Sequence, residues 1–276
     1  MHEHVDTPAA IPILRQVDIG PARLAVATMD SALTFTERLI GQGGSHYICF
    51  CEANLLSEAM RDPQVTAVLD GASAVFADGI AVKWLARLRG CPLPDRVPGP
   101  SFLLAACKYG LGRGWRHFFY GGEPGVVDSL AAGLRRRFPG IRIAGTYSPP
   151  FRPLTDAEET AVKDRIENSG ADLLWVGLGA PKQEFWCARH AGRIAVPVML
   201  AVGAAFDFHS GRRPWAPAWV RAMGMEWAYR ALTGGRRTFF RNLGCVSRIG
   251  LVLLEASLER FWTVRVRRRA TPRSAG

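Results

Sequence analysis

One segment in the second half of the chain restricts the possible folds more than any other. The apolar run 172–177 leads into a Gly-x-Gly turn at Gly177 and Gly179, and Pro181 follows closely. Glycine lets the backbone approach a ligand, and proline is favoured in the first turn of a helix. The pattern predicts a buried strand, a tight turn and a helix whose unpaired N–H groups face an anion, with a diphosphate as the best-suited ligand. Similar turns also occur without a ligand, but the polar triplet 182–184 favours a binding site.

The remainder of the chain alternates between strand-like and helix-like patterns. This alternation predicts an α/β fold with a Rossmann-like, mostly parallel sheet and flanking helices. The predicted strands cover residues 22–27, 46–52, 74–77, 116–120, 141–146, 172–177 and 197–202. The predicted helices cover 31–39 after a cap at Asp30, 54–62, 80–88, 126–138, and a segment ending at Asn168 that opens with a capping box of Thr155 and Glu158.

These patterns divide the chain into three segments. Residues 1–21 lack the basic start and apolar core of a signal peptide and are predicted to be a loose tail. Residues 22–210 form the predicted catalytic α/β domain, in which the Pro- and Gly-rich stretch 90–100 is either a linker between subdomains or a mobile active-site loop. Six scattered cysteines, with no C-x-x-C pair and no His at zinc-ligand spacing, indicate neither disulfides nor structural zinc and favour the cytoplasm.

The net charge of +11 is confined to the third segment. Basic and acidic residues balance over 1–210, whereas residues 211–276 hold 14 Arg and 3 Glu together with several Trp and Phe. The apolar run 249–254 is flanked by arginines, as in a helix at a membrane interface, and is too short to span a bilayer. We therefore predict that 211–276 is a basic, amphipathic helical appendage that binds an anionic membrane surface rather than nucleic acid. The alternative is a C-terminal helix buried in the protein's own core.

Polar residues follow several predicted strands, where ligands of open α/β sheets bind. Asp78 comes after the strand 74–77 and is suited to accept a proton from an attacking hydroxyl, or else to cap the next helix. Phe206 and Asp207 come after the strand 197–202 and suit a flat base and a ribose hydroxyl, unless their loop is simply packed. Arg96 is able to neutralise a phosphate, or else forms a surface ion pair with Asp95.

Several short motifs occur in the order found in one enzyme family. They are Ala-Asp-Gly-Ile at 77–80, Pro-Asp-Arg-Val-Pro-Gly at 94–99, Gly-Leu-Gly-Ala-Pro-Lys-Gln-Glu at 177–184, Gly-Ala-Ala-Phe-Asp-Phe at 203–208, Ala-Pro at 216–217 and Gly-Met-Glu-Trp-Ala-Tyr-Arg at 224–230. Through these motifs the chain resembles the WecG/TagA/CpsF glycosyltransferases over roughly residues 22–244. The resemblance implies an inverting transferase that moves a hexose or N-acetylhexosamine-type sugar from a UDP-sugar. The implied acceptor is a polyprenyl-diphosphate-linked saccharide at the inner face of the bacterial membrane, in cell-surface or exopolysaccharide synthesis.

The resemblance also assigns individual residues. Asp78 matches the proposed base, and Arg96 and Gln183 match an active-site arginine and glutamine. The implied donor site comprises Asn54, Gly177, Gly179, Lys182, Gln183, Glu184, Phe206 and Asp207. The arginines expected to cover the acceptor's diphosphate and to contact the membrane are Arg230, Arg236, Arg237 and Arg241.

Two positions depart from the family pattern. Glu52 stands where many members have Thr, so UDP-N-acetylmannosamine cannot be assumed as the donor, and Gly234-Gly235 stands where a Pro is common. No Asp-x-Asp pair is present to hold a divalent metal against a diphosphate, so a metal-independent site compensated by Arg, Lys and helix N-termini is expected.

A second class of protein remains open on the residues alone. A Rossmann-type nucleotide-binding protein with an RNA-binding basic tail would share the Gly-x-Gly turn and the C-terminal charge. A dehydrogenase of that fold would carry Gly-x-Gly-x-x-Gly after its first strand, with an acidic residue about 20 positions later. The chain has neither there, which favours the transferase.

Overall fold

The fold is a single eight-stranded sheet between two layers of helices, in a computed structural model that describes residues 14–233 and Gly250. It confirms the predicted α/β class. The strands are β1 (Gln16–Ile19), β2 (Ala22–Ala25), β3 (His46–Cys51), β4 (Ala74–Ala77), β5 (Arg116–Gly121), β6 (Arg142–Tyr147), β7 (Leu173–Gly177) and β8 (Val198–Ala201). The helices are α1 (Met29–Gln42), α2 (Ala53–Ala59), α3 (Pro63–Asp70), α4 (Ile80–Leu88), α5 (Gly99–Gly110), α6 (Val126–Arg137), α7 (Asp156–Asn168), α8 (Lys182–His190), α9 (Ala205–His209), α10 (Ala218–Ala222) and α11 (Glu226–Thr233).

The strand order is β1-β2-β4-β3-β8-β7-β5-β6, and every neighbouring pair except β1 with β2 is parallel. The edge strand β1 lies in the segment that the sequence interpretation left as a loose tail. Val17 and Ile19 are buried and alternate with exposed neighbours, which is the period of a strand with one face on a core. Gly20, with φ of +59°, makes the tight turn into β2. The prediction that residues 1–21 form a loose tail therefore overlooked the alternation of exposed and buried residues in β1.

Each face of the sheet carries its own core. Buried side chains of α1, α5, α6 and α9 pack on one face, and those of α2, α3, α4, α7 and α8 pack on the other. The first core is built from tilted and stacked aromatic rings, including Phe50, Phe76, Phe102 and Trp175. Burial of each such side chain contributes about 1.5–3 kcal/mol, so the two cores stabilise the sheet from both faces.

The connections change direction between β7 and β5. The helix after β7, α8, packs on one face, whereas the helix after β5, α6, packs on the opposite face. Neighbouring parallel strands whose helices diverge in this way leave a crevice at their carboxyl ends, which is where open α/β sheets bind ligands. The Gly-x-Gly turn predicted from the sequence lies at this crevice.

The stretch 90–100 is hydrogen-bonded to the end of β4. The Val97 N–H donates to the Ala77 carbonyl at 2.8 Å, and the Gly99 N–H donates to Asp78 Oδ2 at 3.0 Å. The stretch joins α4 to α5, which pack on opposite faces of the same sheet. It is thus a loop at the carboxyl edge, attached to the strand that carries the candidate base.

Candidate active site

Two glycines shape the turn after β7, and each is required for a different physical reason. A Cβ at Gly177 would lie 2.6 Å from the Phe206 ring, so only glycine fits against that side chain. Gly179 has φ of +80° and nothing within 4 Å of a built Cβ, so its requirement is conformational. The Gly179 N–H donates to Gln183 Oε1 at 3.1 Å. This bond corrects the expectation that the N–H groups of the turn are all open to an anion.

A second glycine turn, which the sequence interpretation missed, faces the first. Gly121 ends β5 with φ of +126°, and a Cβ there would lie 2.4 Å from the Gly177 carbonyl oxygen. The Gly122 N–H donates to the same oxygen at 2.9 Å. Beyond it, α6 begins after Gly125 without a side-chain cap. The signal was available, because a Gly-Gly pair follows the predicted strand 116–120 directly.

Asp78 occupies the end of β4 with its carboxylate held in place. Its backbone N–H donates to the Cys51 carbonyl at 3.0 Å, and its Oδ2 accepts the N–H of Gly99, the first residue of α5. The N-cap of α4 is Gly79, and no side chain caps that helix. The structure therefore does not support the alternative in which Asp78 caps α4. A partly exposed, fixed carboxylate at this edge is suited to general-base catalysis.

Arg96 reaches across the edge rather than pairing with its neighbour. Its Nη2 donates to the carbonyl of Arg221 at 2.9 Å, while the Asp95 carboxylate accepts the Arg96 backbone N–H and lies 4.0 Å from Lys83 Nζ. The expected alternative, a side-chain ion pair between Asp95 and Arg96, is not what the structure contains. The guanidinium is instead anchored to a segment 125 residues further along the chain.

That segment, residues 215–225, is termed here the crossing segment. The Arg221 guanidinium lies 3.7 Å over the ring of Trp215, which also contacts the edge of His209 on α9. At its other end, a Cβ at Gly224 would lie 2.6 Å from Ile80, the first residue of α4. The segment thus runs over the end of β4 from one helix layer to the other. Arg221 was not among the predicted site residues, and its contact with Arg96 has no local sequence signal.

Glu52, the residue that departs from the family pattern, caps α2. Its carboxylate accepts the N–H groups of Asn54 and Leu55 at 3.0 and 3.3 Å and the Asn54 side-chain amide at 3.1 Å. The predicted helix start at Asn54 is therefore one residue late, and the amide assigned to the donor site is held by Glu52. Glu52 lies beside Gly79, so its carboxylate adds negative charge next to the Asp78 loop.

Gln183 and Glu184 are buried, although both lie in the first turn of α8. Gln183 is 3% exposed and Glu184 is fully buried, while Lys182 before them is exposed. Gln183 Nε2 donates to Glu184 Oε1 at 2.9 Å. Burial raises the pKa of Glu184 to about 7. The expectation that Glu184 contacts the donor directly is corrected, because its side chain points into the core beneath the turn.

Phe206 and Asp207 also differ from their predicted roles. Phe206 is 1% exposed and packs beneath Gly177 and against Phe119, with ring centroids 5.8 Å apart, so it does not present a face to a base. The Asp207 carboxylate pairs with Arg213 at 3.3 Å. Of the four arginines assigned to the acceptor and membrane, Arg230 lies on α11, and Arg236, Arg237 and Arg241 lie outside the described residues.

Together these features describe an α/β fold with a candidate site along one sheet edge, and comparison with known proteins identifies its family. Residues 17–261 match the model of the glycosyl transferase WecG/TagA/CpsF family. The chain is 33% identical over 214 residues to an N-acetylglucosaminyldiphosphoundecaprenol N-acetyl-beta-D-mannosaminyltransferase of Bacillus spizizenii, covering 76% of this chain and 81% of that one. It is 28% identical over 191 residues to the Staphylococcus aureus protein of the same name, covering 69% and 73%. The chain belongs to the WecG/TagA/CpsF family and is a glycosyltransferase.

Replacement of Gln183 by alanine is expected to damage both stability and catalysis. The variant removes the acceptor of the Gly179 N–H and the donor to a buried carboxyl oxygen, so the free energy of unfolding should fall by about 1–3 kcal/mol. Because the turn loses its internal support, kcat/KM for the UDP-sugar should fall about tenfold or more. Thermal unfolding and steady-state kinetics measure the two effects, with Gln64→Ala on the exposed start of α3 as the control. Reduced stability with unchanged kinetics would leave Gln183 a purely structural residue.

Proposed function

We propose that the enzyme transfers a hexose or N-acetylhexosamine-type sugar from a UDP-sugar to a polyprenyl-diphosphate-linked saccharide, with inversion at the anomeric carbon. The observation that carries the proposal is the position of the Asp78 carboxylate on the same sheet edge as the two facing glycine turns. Nothing lies within 4 Å of a Cβ built at Gly179 or Gly125, so a diphosphate has room to approach the backbone there, and the carboxylate supplies a base along the same edge. The names of the two relatives support the acceptor class.

The reaction that fits this arrangement is a single displacement. Asp78 removes the proton from the acceptor hydroxyl, the freed oxygen forms a bond to the anomeric carbon, and UDP departs from the opposite face with the electron pair of the broken C–O bond. Negative charge grows on the leaving diphosphate. Arg96, Lys182 and the helix N-termini of the crevice are the groups proposed to compensate it.

We further propose that the transfer needs no metal ion. No group of three His, Cys, Asp or Glu side chains able to hold one occurs within the part of the chain that the structure describes. The decisive measurement is product formation from a panel of UDP-sugars and a synthetic polyprenyl-diphosphate N-acetylglucosamine, with and without excess EDTA. Turnover of one donor, unaffected by EDTA and giving the inverted anomer by NMR, is the expected result. Retention of configuration, or transfer from no UDP-sugar, would contradict the proposal.

We also propose that the enzyme works as a peripheral protein on the inner face of the bacterial membrane. No helix within residues 14–233 is long and apolar enough to cross a bilayer. The crossing segment exposes Trp219, Met223 and Met225, at 66%, 55% and 41% of their surfaces, and Trp84 on α4 is 53% exposed. Tryptophan is favoured at the membrane interface, so these side chains support a membrane-facing role for this end of the sheet.

Truncation after Asn242 is expected to reduce vesicle binding severely. It removes the apolar run 249–254 and seven of the chain's arginines, each worth about 1 kcal/mol near an anionic surface. Flotation with phosphatidylglycerol vesicles measures binding, and UDP binding by calorimetry should survive because both cores lie within 14–233. High salt on the full chain is the control and should weaken binding less than truncation. An aggregated truncated protein would assign the tail to the core. Binding of the full chain to RNA but not to vesicles would favour the nucleic-acid alternative.

A further inference from the structure

A chain of hydrogen bonds connects the core to the turn after β7. Glu184 Oε1 accepts from Gln183 Nε2 at 2.9 Å, and Gln183 Oε1 accepts the Gly179 N–H at 3.1 Å. All three residues belong to the turn or to the first turn of α8. The innermost member, Glu184, is fully buried and reaches the Gly179 turn only through Gln183 in this chain of bonds. Its carboxyl group is therefore suited to support the turn rather than to contact a ligand from solvent.

The bond to Glu184 fixes which way the Gln183 amide points. Glu184 Oε1 is the acceptor in this bond, so Nε2 faces Glu184 and Oε1 faces the Gly179 N–H. A reversed amide would set its NH₂ group against that N–H, donor against donor. The Gly179 N–H and the Glu184 carboxyl group therefore select the same orientation, and without Glu184 one of the two bonds that hold it is lost.

The other carboxyl oxygen of Glu184 gives an independent reason to expect a functional role for this residue. Glu184 Oε2 is buried and has no hydrogen-bond partner among the described residues. A buried acid without a partner for one oxygen costs free energy, and natural cores retain few such groups without a function. The cost is least when the carboxyl is neutral, in agreement with burial raising its pKa to about 7.

We propose that Glu184 is a positioning residue, which orients the Gln183 amide and so holds the Gly179 turn in the conformation that receives the donor diphosphate. The proposal rests on the proposed function for the identity of the ligand. The support of the turn is a property of the chain itself and is measurable without any substrate.

Ionisation of Glu184 should also make the activity depend on pH. The groups that face it are acidic or neutral: Glu52 beyond β3, Cys49 and Cys51 on β3, and Cys187 on α8. Strands β7 and β8 carry no titratable side chain, and Asp70 on α3 faces Tyr47 instead. When Glu184 ionises as the pH rises through about 7, it places an uncompensated negative charge beneath the turn. That charge opposes a leaving diphosphate.

The test uses the full-length enzyme and five variants. Glu184→Gln keeps an acceptor for Gln183 and removes the titration, whereas Glu184→Ala removes the acceptor. Gln183→Ala and the double alanine variant complete a mutant cycle. Cys187→Ala, a buried truncation on the same helix that leaves both hydrogen bonds intact, controls for loss of packing. The readouts are amide hydrogen exchange at Gly179 by NMR, and UDP-sugar kinetics between pH 6 and 9.

Glu184→Ala should speed Gly179 exchange about tenfold or more relative to Cys187→Ala and lower kcat/KM about as much as Gln183→Ala does. The double variant should be no worse than either single variant. Glu184→Gln should keep kcat/KM within about threefold of wild type at pH 6.5, and the wild type should lose activity relative to it above pH 7. Independent, multiplicative losses, or unchanged Gly179 exchange in Glu184→Ala, would overturn the proposal. Absence of UDP-sugar turnover in the wild type would instead overturn the proposed function, and the exchange result would still stand.

Discussion

Asp78→Asn is expected to lower kcat by about 10²–10⁴-fold, the range attributed to general-base catalysis. Asparagine is isosteric and retains an oxygen that can accept the Gly99 N–H, so the attachment of the stretch 90–100 to β4 should persist. UDP binding, measured by calorimetry, should change little, because the glycine turns that are proposed to receive the diphosphate lie on β5 and β7. The loss should therefore appear in kcat rather than in donor affinity.

The matched control for this variant is Asp62→Asn. Asp62 is the N-cap of α3, where its carboxylate accepts the Gln64 N–H at 2.8 Å, and asparagine caps helices about as well as aspartate. Its turnover should equal that of the wild type. Near-normal turnover in Asp78→Asn as well would remove Asp78 from the chemistry and leave it as a support for α5.

Gly121→Ala is expected to destabilise the protein by about 3 kcal/mol or more. A methyl group there would lie 2.4 Å from the Gly177 carbonyl oxygen, which is backbone and cannot rotate away, and φ of +126° is strained for any side chain. For a chain of this length the loss corresponds to roughly 6–12 °C in Tm. Because the two turns must separate to accept the methyl group, UDP binding should also fall. Differential scanning calorimetry and UDP titration measure both effects.

Gly140→Ala provides the comparison at a position that also has positive φ but lacks the close contact. Gly140 has φ of +90°, but nothing lies within 4 Å of a Cβ built there, so only the conformational cost of about 1 kcal/mol applies. Its UDP affinity should be that of the wild type. Equal losses of stability in the two variants would mean that the contact between the glycine turns contributes nothing beyond backbone strain.

The order of strands and helices was largely predictable because each element has a local pattern. The seven strands predicted from apolar runs all occur, and the Thr155 capping box opens α7 as expected. The errors in the predicted elements occur where the pattern is short or where two neighbouring residues are both able to cap a helix. Strand β1 offers only four alternating residues, and α1 is capped by Thr28 rather than by Asp30 because the Thr28 hydroxyl reaches the Ser31 N–H.

The site was predictable in part, and the limit is tertiary contact. The positions of Asp78 after β4 and of the Gly177 turn after β7 were predictable because strand ends and glycines are recognisable in the sequence. The burial of Glu184 and Phe206 was not, since polarity and ring shape suggest a ligand contact whereas packing decides which side chains face solvent. The bond from Arg96 to the Arg221 carbonyl joins residues 125 positions apart, and no local pattern reports it.

The mutual contact of Gly121 and Gly177 limits how donor preference can be redesigned. Neither position admits a side chain, and Phe206 fills the space behind Gly177, so substitutions at these two glycines would destabilise the protein. The ends of β3 and β4 are different, because Glu52 and Asp78 already carry side chains there and Glu52 is partly exposed. New sugar selectivity is therefore most accessible through residue 52 and its neighbours, with the glycine half of the crevice left as an invariant scaffold.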